Sequence, residues 1–218
     1  MKNKLILVSG TIGAGKTTFI KKLTKELGWA SSNESVFDNP YLDKFYSDPS
    51  KWSYHLQTYI LGIVAKQHKE LSETPNYVLL DRGIYDAANV FVRSLYEQNI
   101  MTKEEFNSYF ALYDLIIPTL KKPDLVIYIE CNIETALKRI KKRGIECEQS
   151  IDYNYLNLLE KHYNNWITSY NDSPILYIDS EKTNFVKHNN IVETFSPKII
   201  EALEIKNQPQ NYYTLWNK

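Results

Sequence analysis

A glycine-rich segment at residues 10–17 constrains this chain more than any other feature. It reads Gly-Thr-Ile-Gly-Ala-Gly-Lys-Thr and fits the pattern G-x-x-x-x-G-K-[ST]. The apolar residues 5–9 precede it and predict a buried strand, and apolar residues at helical spacing follow it between positions 19 and 27. A strand, a glycine loop and a helix in this order predict a phosphate-binding loop. A chance match to the bare pattern would occur in roughly one chain in a hundred of this size.

The residue types in this loop each handle negative charge. Glycines let backbone N–H groups turn toward phosphate oxygens, and the N-terminus of the following helix adds a favourable dipole. Lys16 is expected to reach the β- and γ-phosphates of ATP, and the Thr17 hydroxyl is expected to ligate Mg²⁺. The loop alone leaves kinases, GTPases and motors open. The predicted ATP-binding residues are Gly10, Thr11, Ile12, Gly13, Ala14, Gly15, Lys16, Thr17 and Thr18.

Composition limits the partners of this chain. Its 218 residues include 26 Lys+Arg and 26 Asp+Glu, so no overall positive field favours nucleic acid or an anionic membrane. The length predicts one domain, residues 1–218, in which about 206–218 form a C-terminal tail. Two scattered cysteines predict free thiols, and the N-terminal apolar stretch is too short for a signal peptide or a membrane span, so we expect a cytoplasmic protein.

Strand and helix patterns alternate along the chain. Short apolar runs at residues 5–9, 77–80, 125–129 and 175–178 predict strands that are buried on both faces. Between them, apolar residues recur at helical spacing. This alternation predicts an α/β fold with a parallel sheet flanked by helices, and ligands at the carboxyl ends of its strands.

Several motifs beyond the loop resemble the deoxynucleoside kinase family, from residue 5 to about residue 185. The resemblance implies a P-loop kinase fold with a five-stranded parallel sheet, in which the short strand before Glu34 is the fifth, and with an arginine-bearing lid. It also implies transfer of the γ-phosphoryl group of Mg-ATP to a deoxynucleoside, and a homodimer. The motifs are Glu34-Ser-Val-Phe-Asp-Asn-Pro-Tyr-Leu, Phe45-Tyr46-Ser-Asp-Pro-Ser-Lys-Trp52, Leu56-Gln57-Thr-Tyr, Asp81-Arg82-Gly-Ile-Tyr, Arg139-Ile-Lys-Lys-Arg143-Gly-Ile-Glu-Cys-Glu148 and the stretch from Tyr155-Leu to Trp166, in which no role is assigned to Tyr155.

The family assigns catalytic roles to five of these residues. Glu34 would accept the proton of the 5′-hydroxyl, Asp81 would help to hold Mg²⁺, and Arg82 would steady the base and the transferring phosphoryl group. Arg139 and Arg143 lie four apart and would fold over the phosphates as a lid. The alternatives are a solvated acid for Glu34, a structural ion pair for Asp81 and Arg82, and ordinary helix-dipole pairing for the two lid arginines.

A second set of residues matches the nucleoside pocket of the family. Tyr46 and Glu148 would bind the sugar 3′-hydroxyl, and Gln57 would pair with the edge of the base through its amide. Phe91 would stack on the base and Trp52 would wall the pocket. For the three aromatic residues, packing in the core is the alternative.

The chain departs from the family at the base. Members that take purines or deoxycytidine carry an arginine and an aspartate where this chain has Val64 and Ala87. With Ile60 these residues would leave an apolar recess suited to a 5-methyl group, so we expect a preference for pyrimidines (thymidine, deoxycytidine) or broad specificity. Asp86 is one residue from the lost aspartate, and an offset of about 100° aims it elsewhere unless the helix register shifts. Such a shift would restore purine recognition.

Two further departures weaken the match to the family: Gly83 replaces a small hydroxyl residue and Ile145 replaces a third lid arginine. Other hypotheses remain open at this point. They are a purine deoxynucleoside kinase, a nucleoside monophosphate kinase of the thymidylate kinase type, and a non-catalytic kinase-fold interaction protein. Retention of the demanding residues of the site argues against the last of these. Candidates for a dimer interface, which could equally be core, are Phe106, Tyr109, Phe110 and Tyr113.

Overall fold

A computed structural model of the chain describes residues 3–32, 39–183, 185–186 and 190–204, and the backbone of 212–214. The five-stranded parallel sheet predicted from the sequence is confirmed, and a short sixth strand extends it at one edge. The spatial order is β2-β3-β1-β4-β5-β6, with every described pair parallel. The sixth strand belongs to the segment predicted as a tail. The strands are β1 Lys4–Ser9, β2 Ala30–Ser31, β3 Tyr77–Asp81, β4 Leu125–Glu130, β5 Ile175–Asp179 and β6 Tyr212–Thr214.

Helices cover the sheet and connect its strands. The α-helices are α1 Lys16–Leu27, α2 Leu42–Ser47, α3 Pro49–Ser72, α4 Ile84–Asp86, α5 Arg93–Glu97, α6 Lys103–Ile116, α7 Ile133–Arg143, α8 Tyr153–Ser169 and α9 Ile191–Glu204. A π-helical segment, Ala87–Val92, joins α4 to α5 without a break. Among the described residues, no helix is both long and apolar enough to cross a membrane.

The central strands lie in the core because both of their faces are covered. Leu5, Ile6, Leu7 and Val8 are fully inaccessible to solvent, as expected for a strand covered by helices on both sides. Val8 of β1 pairs in register with Asp81 of β3. The register therefore brings the phosphate loop and the end of β3 to one edge of the sheet.

Local signals in the sequence set the helix ends. The Asp48 side chain accepts the N–H of Lys51 and α3 begins with proline, which supplies a rigid first turn. Thr102 and Glu105 form a capping box at the start of α6. These boundaries could be predicted because the residues that fix them lie within one turn of them.

The aromatic stripe on α6 packs against the core through one fully buried and three half-buried residues, and its place in a dimer interface stays a prediction. Tyr109 is fully buried, and Phe106 stacks on Tyr96 with ring centroids 4.3 Å apart. The exposed apolar residues of α6 are instead Leu112 and Leu115, at 39% and 74% exposure. The stripe turns inward because it packs against α5 and the π-helical segment.

Candidate active site

The phosphate loop is held in its shape by close packing at two glycines. Gly10 has φ +142°, and a Cβ there would lie 2.5 Å from the carbonyl oxygen of Ile129. Gly13 has φ +82°, and a Cβ there would lie 2.6 Å from the carbonyl oxygen of Ala136 in α7. Only glycine fits these positions without a backbone shift. The phosphate loop therefore packs closely between β4 and α7.

Lys16 points back into the loop that it follows. Its ammonium group donates to the carbonyl oxygens of Gly10 and Thr11 at 2.7 and 2.8 Å, and the residue is only 5% exposed. A buried cation inside a ring of backbone groups suits a phosphate oligoanion. The geometry matches the position predicted for the lysine of an ATP site.

Thr17 and Asp81 meet at the carboxyl edge of the sheet. The Thr17 hydroxyl donates to Oδ2 of Asp81 at 2.6 Å, and the backbone N–H of Asp81 donates to the Ser32 hydroxyl at 2.9 Å. Oδ1 of Asp81 is buried with no hydrogen-bond partner among the described residues. A hydroxyl and a carboxylate with an unused oxygen fit Mg²⁺, which takes oxygen ligands and usually few from the protein.

Arg82 has a strained backbone at the end of β3. Its φ of +61° lies in the left-handed region, which residues with side chains rarely adopt, and its N–H donates to the Val8 carbonyl at 3.0 Å. The guanidinium lies over the Phe91 ring, 5.1 Å from the ring centroid. This contact fixes the arginine beside an aromatic face that was predicted to stack on a base.

A cavity of about 480 Å³ opens beside Asp81 and Arg82. Its lining contains polar atoms that lack partners: Oε1 of Gln57 and Nδ2 of Asn39 are buried without a hydrogen bond among the described residues. Such atoms indicate a polar ligand, because leaving them unpaired is costly. Ten predicted residues line this cavity: Ile12, Tyr46, Gln57, Ile60, Val64, Asp81, Arg82, Ala87, Phe91 and Glu148.

Tyr46 and Glu148 come together at this cavity with Cys147. Burial raises the pKa of Tyr46, and Cys147 and Glu148 raise it further. Glu148 forms an ion pair with Arg143, which was predicted to fold over the phosphates. The two residues predicted to bind the sugar therefore lie together at the cavity, and Arg143 is paired with one of them.

The position predicted for Trp52 is corrected. Trp52 is absent from the cavity lining and packs against Tyr41 and His55, with ring centroids 6.0 and 5.1 Å away. Trp52 lies in the first turn of α3, and its ring packs against these two side chains instead of the cavity.

Arg139 lies behind the phosphate loop, on the side of α7, rather than folded over it. Its guanidinium donates to the carbonyl oxygens of Gly13 and Ala14 at 3.4 and 3.1 Å, to the Ser180 hydroxyl at 3.0 Å and to the Ser180 carbonyl at 2.9 Å. It also contacts the Cys131 thiol at 3.4 Å. Arg139 is thus bonded to the phosphate loop itself, and its place in a lid over the phosphates stays a prediction.

Several lining residues were missed by the sequence reasoning, among them Asn39, Phe45 and Tyr155. Tyr155 lies one turn before Leu159 on the buried face of α8, which is a signal that helical spacing could have given. Asn39 and Phe45 carried no such signal. Glu34, the predicted base, lies outside the described residues.

Comparisons with known proteins all indicate one class of protein. The family model described as "Deoxynucleoside kinase" matches residues 6–203. A deoxyadenosine/deoxycytidine kinase of Bacillus subtilis (strain 168) is 35% identical over 204 residues, covering 93% of this chain and 94% of that protein. A deoxyguanosine kinase of the same strain is 30% identical over 203 residues, covering 91% and 97%. The structure of a deoxyadenosine kinase from M. mycoides, with the products dCMP and dCDP bound, has a TM-score of 0.79 and 30% identity, covering 90% of this chain and 98% of that one.

Proposed function

We propose that this chain, which belongs to the deoxynucleoside kinase family, transfers the γ-phosphoryl group of ATP to the 5′-hydroxyl of a deoxynucleoside. The observation that carries the proposal is that the phosphate loop and the 480 Å³ cavity meet at Asp81 and Arg82. A donor held in the loop and an acceptor held in the cavity would face each other there. Holding two reactants in this way supplies much of a kinase's rate enhancement.

The charged residues at this junction divide the chemical work. Lys16 binds the β- and γ-phosphates, and Arg82 stabilises the charge of the transferring group. Thr17 and Asp81 would hold Mg²⁺, which neutralises charge on the phosphate oxygens when bound. Glu34 accepts the proton of the 5′-hydroxyl.

The sugar is bound by Tyr46 and Glu148 through its 3′-hydroxyl. Arg143 pairs with Glu148 and so lies where it can close over the phosphates once a nucleoside occupies the pocket. For Arg139 we propose a supporting role behind the loop, since its donors are already bonded to loop carbonyls.

Base preference is the finer part of the proposal. Ile60, Val64 and Ala87 line the cavity together, which supports a recess for the 5-methyl group of a pyrimidine. Gln57 can pair with several bases, because its amide both donates and accepts. A purine preference is the second candidate, since the relatives named above are kinases of deoxyadenosine, deoxycytidine and deoxyguanosine.

The test measures ADP formation from Mg-ATP with thymidine, deoxycytidine, deoxyadenosine, deoxyguanosine and thymidine monophosphate offered separately. The proposal expects activity on nucleosides with a pyrimidine first, and a leading purine would reject the recess argument. Activity on the monophosphate alone would reject nucleoside phosphorylation itself.

The double variant Val64→Arg/Ala87→Asp restores the charge pair of other family members. It should shift the order of preference among the nucleosides toward purines or deoxycytidine, with each single variant as its control.

The catalytic base is tested by Glu34→Gln, with Glu26→Gln on the exposed surface of α1 as the matched control. We expect the first variant to lose about 100-fold or more in kcat and the second to remain near wild type. Near-normal turnover by Glu34→Gln with an unchanged fold would show that another group takes the proton.

Assembly and location complete the proposal. We propose a homodimer, with the exposed Leu112 and Leu115 on α6 as candidates for its interface beside the half-buried Phe106, Phe110 and Tyr113. Both cysteines are free thiols, which favours a reducing, cytoplasmic compartment.

A further inference from the structure

Asp86 is a fully buried carboxylate to which the proposed mechanism gives no role. Its relative exposure is 0%, and each of its oxygens accepts a hydrogen bond. The Ser9 hydroxyl donates to Oδ2 at 3.0 Å, and the Tyr163 hydroxyl donates to Oδ1 at 3.1 Å. Ser9 directly precedes the phosphate loop, and Tyr163 lies on α8. Asp86 therefore bonds two elements that are far from it in sequence, one before it and one after it.

The Tyr163 hydroxyl extends this connection to the acceptor side of the site. It donates to Asp86, and Arg82 lies close enough to lower the pKa of the Tyr163 hydroxyl against the raising effect of burial. Burial raises the pKa of Asp86 to about 6, against the lowering effect of the positive charges of Arg82 and Lys16. Above that pH the carboxylate is ionised and attracts the arginine that lies over Phe91. The Ser9 hydroxyl faces Asp86 from β1 and the Tyr163 hydroxyl from α8. The charges are those of Lys16 at the start of α1 and of Arg82 directly after β3.

Base reading is the other role that the position of Asp86 could serve. The π-helical segment begins directly after Asp86, so the register does change there, as purine recognition would need. The carboxylate, however, is turned toward Ser9 and Tyr163, and both of its oxygens are bonded to them. Asp86 therefore borders the cavity, but both of its oxygens are already bonded to residues that support the phosphate-transfer site.

We propose that Asp86 is a positioning residue. Through the Tyr163 hydroxyl it holds the Arg82 guanidinium in place, and through Ser9 it fixes the position of that guanidinium relative to the phosphate loop. The inference rests on the proposed function, because it assigns Arg82 to the transferring phosphoryl group. An arginine that is misplaced at that group loses transition-state stabilisation and leaves nucleoside binding nearly intact.

The experiment compares Asp86→Asn, Tyr163→Phe and their double variant in steady-state assays on the best nucleoside of the wild-type protein. Asparagine can still accept from Tyr163 and donate to Ser9, so it removes the charge and keeps the shape. Phenylalanine removes only the connecting hydroxyl. Tyr128→Phe is the matched control, because its hydroxyl is also buried but donates to Glu160 at 2.8 Å, away from Arg82.

We expect each single variant to lose about 10- to 100-fold in kcat, with the nucleoside KM changed by less than about threefold. The double variant should lose no more than the worse single variant, since both substitutions break one connection. Tyr128→Phe should stay within about twofold of wild type. If Asp86→Asn fails to fold, Tyr163→Phe against Tyr128→Phe carries the test alone.

Three results would overturn the inference while the wild-type protein phosphorylates deoxynucleosides. The first is that the single variants fold and keep the wild-type kcat. The second is that the kcat losses of the two single variants multiply in the double variant. The third is that the order of preference among the nucleosides changes, which would make Asp86 a residue that recognises the base. A wild-type protein that phosphorylates none of the nucleosides would overturn the proposed function and this inference with it.

Discussion

Replacing Asp86 by asparagine should stabilise the folded protein while it slows the enzyme. The pKa of Asp86 rises from 3.8 to about 6, mainly because burial disfavours its charged form. At about 1.4 kcal/mol per pH unit, this difference costs the folded state roughly 3 kcal/mol at pH 7.5. Asparagine resembles the protonated acid, so it avoids that cost. The folded state loses stability as pH rises from 3.8 to about 6, because the unfolded chain releases the Asp86 proton at a lower pH than the folded protein does.

Urea unfolding of both proteins at pH 7.5 and pH 4.5 measures this difference. The variant should exceed wild type by up to about 3 kcal/mol at pH 7.5, and by clearly less at pH 4.5. Asp124→Asn is a control of opposite sign. Burial raises the pKa of Asp124, but its hydrogen bonds with Lys121 and Leu5 outweigh burial and lower it, so this variant should lose stability at neutral pH. An Asp86→Asn variant that is less stable than wild type at pH 7.5 would refute the reasoning.

Three further predictions concern separate parts of the fold. Gly13→Ala places a Cβ 2.6 Å from the carbonyl oxygen of Ala136, so we expect the KM for ATP to rise by about 10-fold or more while the nucleoside KM changes little; an unchanged ATP KM would show that the loop can move. Thr102→Ala removes the capping box and should lower the free energy of unfolding by about 1 kcal/mol without changing kcat. Burial lowers the pKa of His68, whose Nε2 lies 2.6 Å from the Lys121 carbonyl. Because the unfolded chain then takes up the proton first, stability should fall as pH drops below about 6.5, and this fall should be smaller in His68→Gln in urea titrations at pH 7.5 and 5.5.

The fold could be predicted largely because its signals are local. The phosphate loop, the cap at Asp48 and the apolar strands each depend on residues within a turn or a strand of one another. The family resemblance assigned Gln57, Ile60 and Val64 to the pocket, and their spacing does place them on one face of α3.

Other outcomes depend on contacts between distant segments. The family resemblance assigned Trp52 to the pocket, but its ring packs against Tyr41, which lies outside α3. Tyr109 of the α6 stripe is buried because neighbouring helices cover it, and the sequence of α6 does not contain that information. Asp86 lies between β1 and α8, so its role depends on side chains 77 residues away in each direction.

Arg139 shows how a phosphate loop is held from its outer side. Loop N–H groups can point inward only if the carbonyl groups point outward, and those oxygens need donors of their own. The guanidinium of Arg139 supplies donors to Gly13 and Ala14 and fixes the same group to Ser180 beyond β5. Since Gly13 also lies against the backbone of α7, the helix and the loop form one packed unit. A closing motion of α7 that carried Arg139 over the phosphates would break these bonds and leave two loop carbonyls without their donor. Closure by Arg143, whose guanidinium is paired with Glu148 among the described residues, requires no such loss.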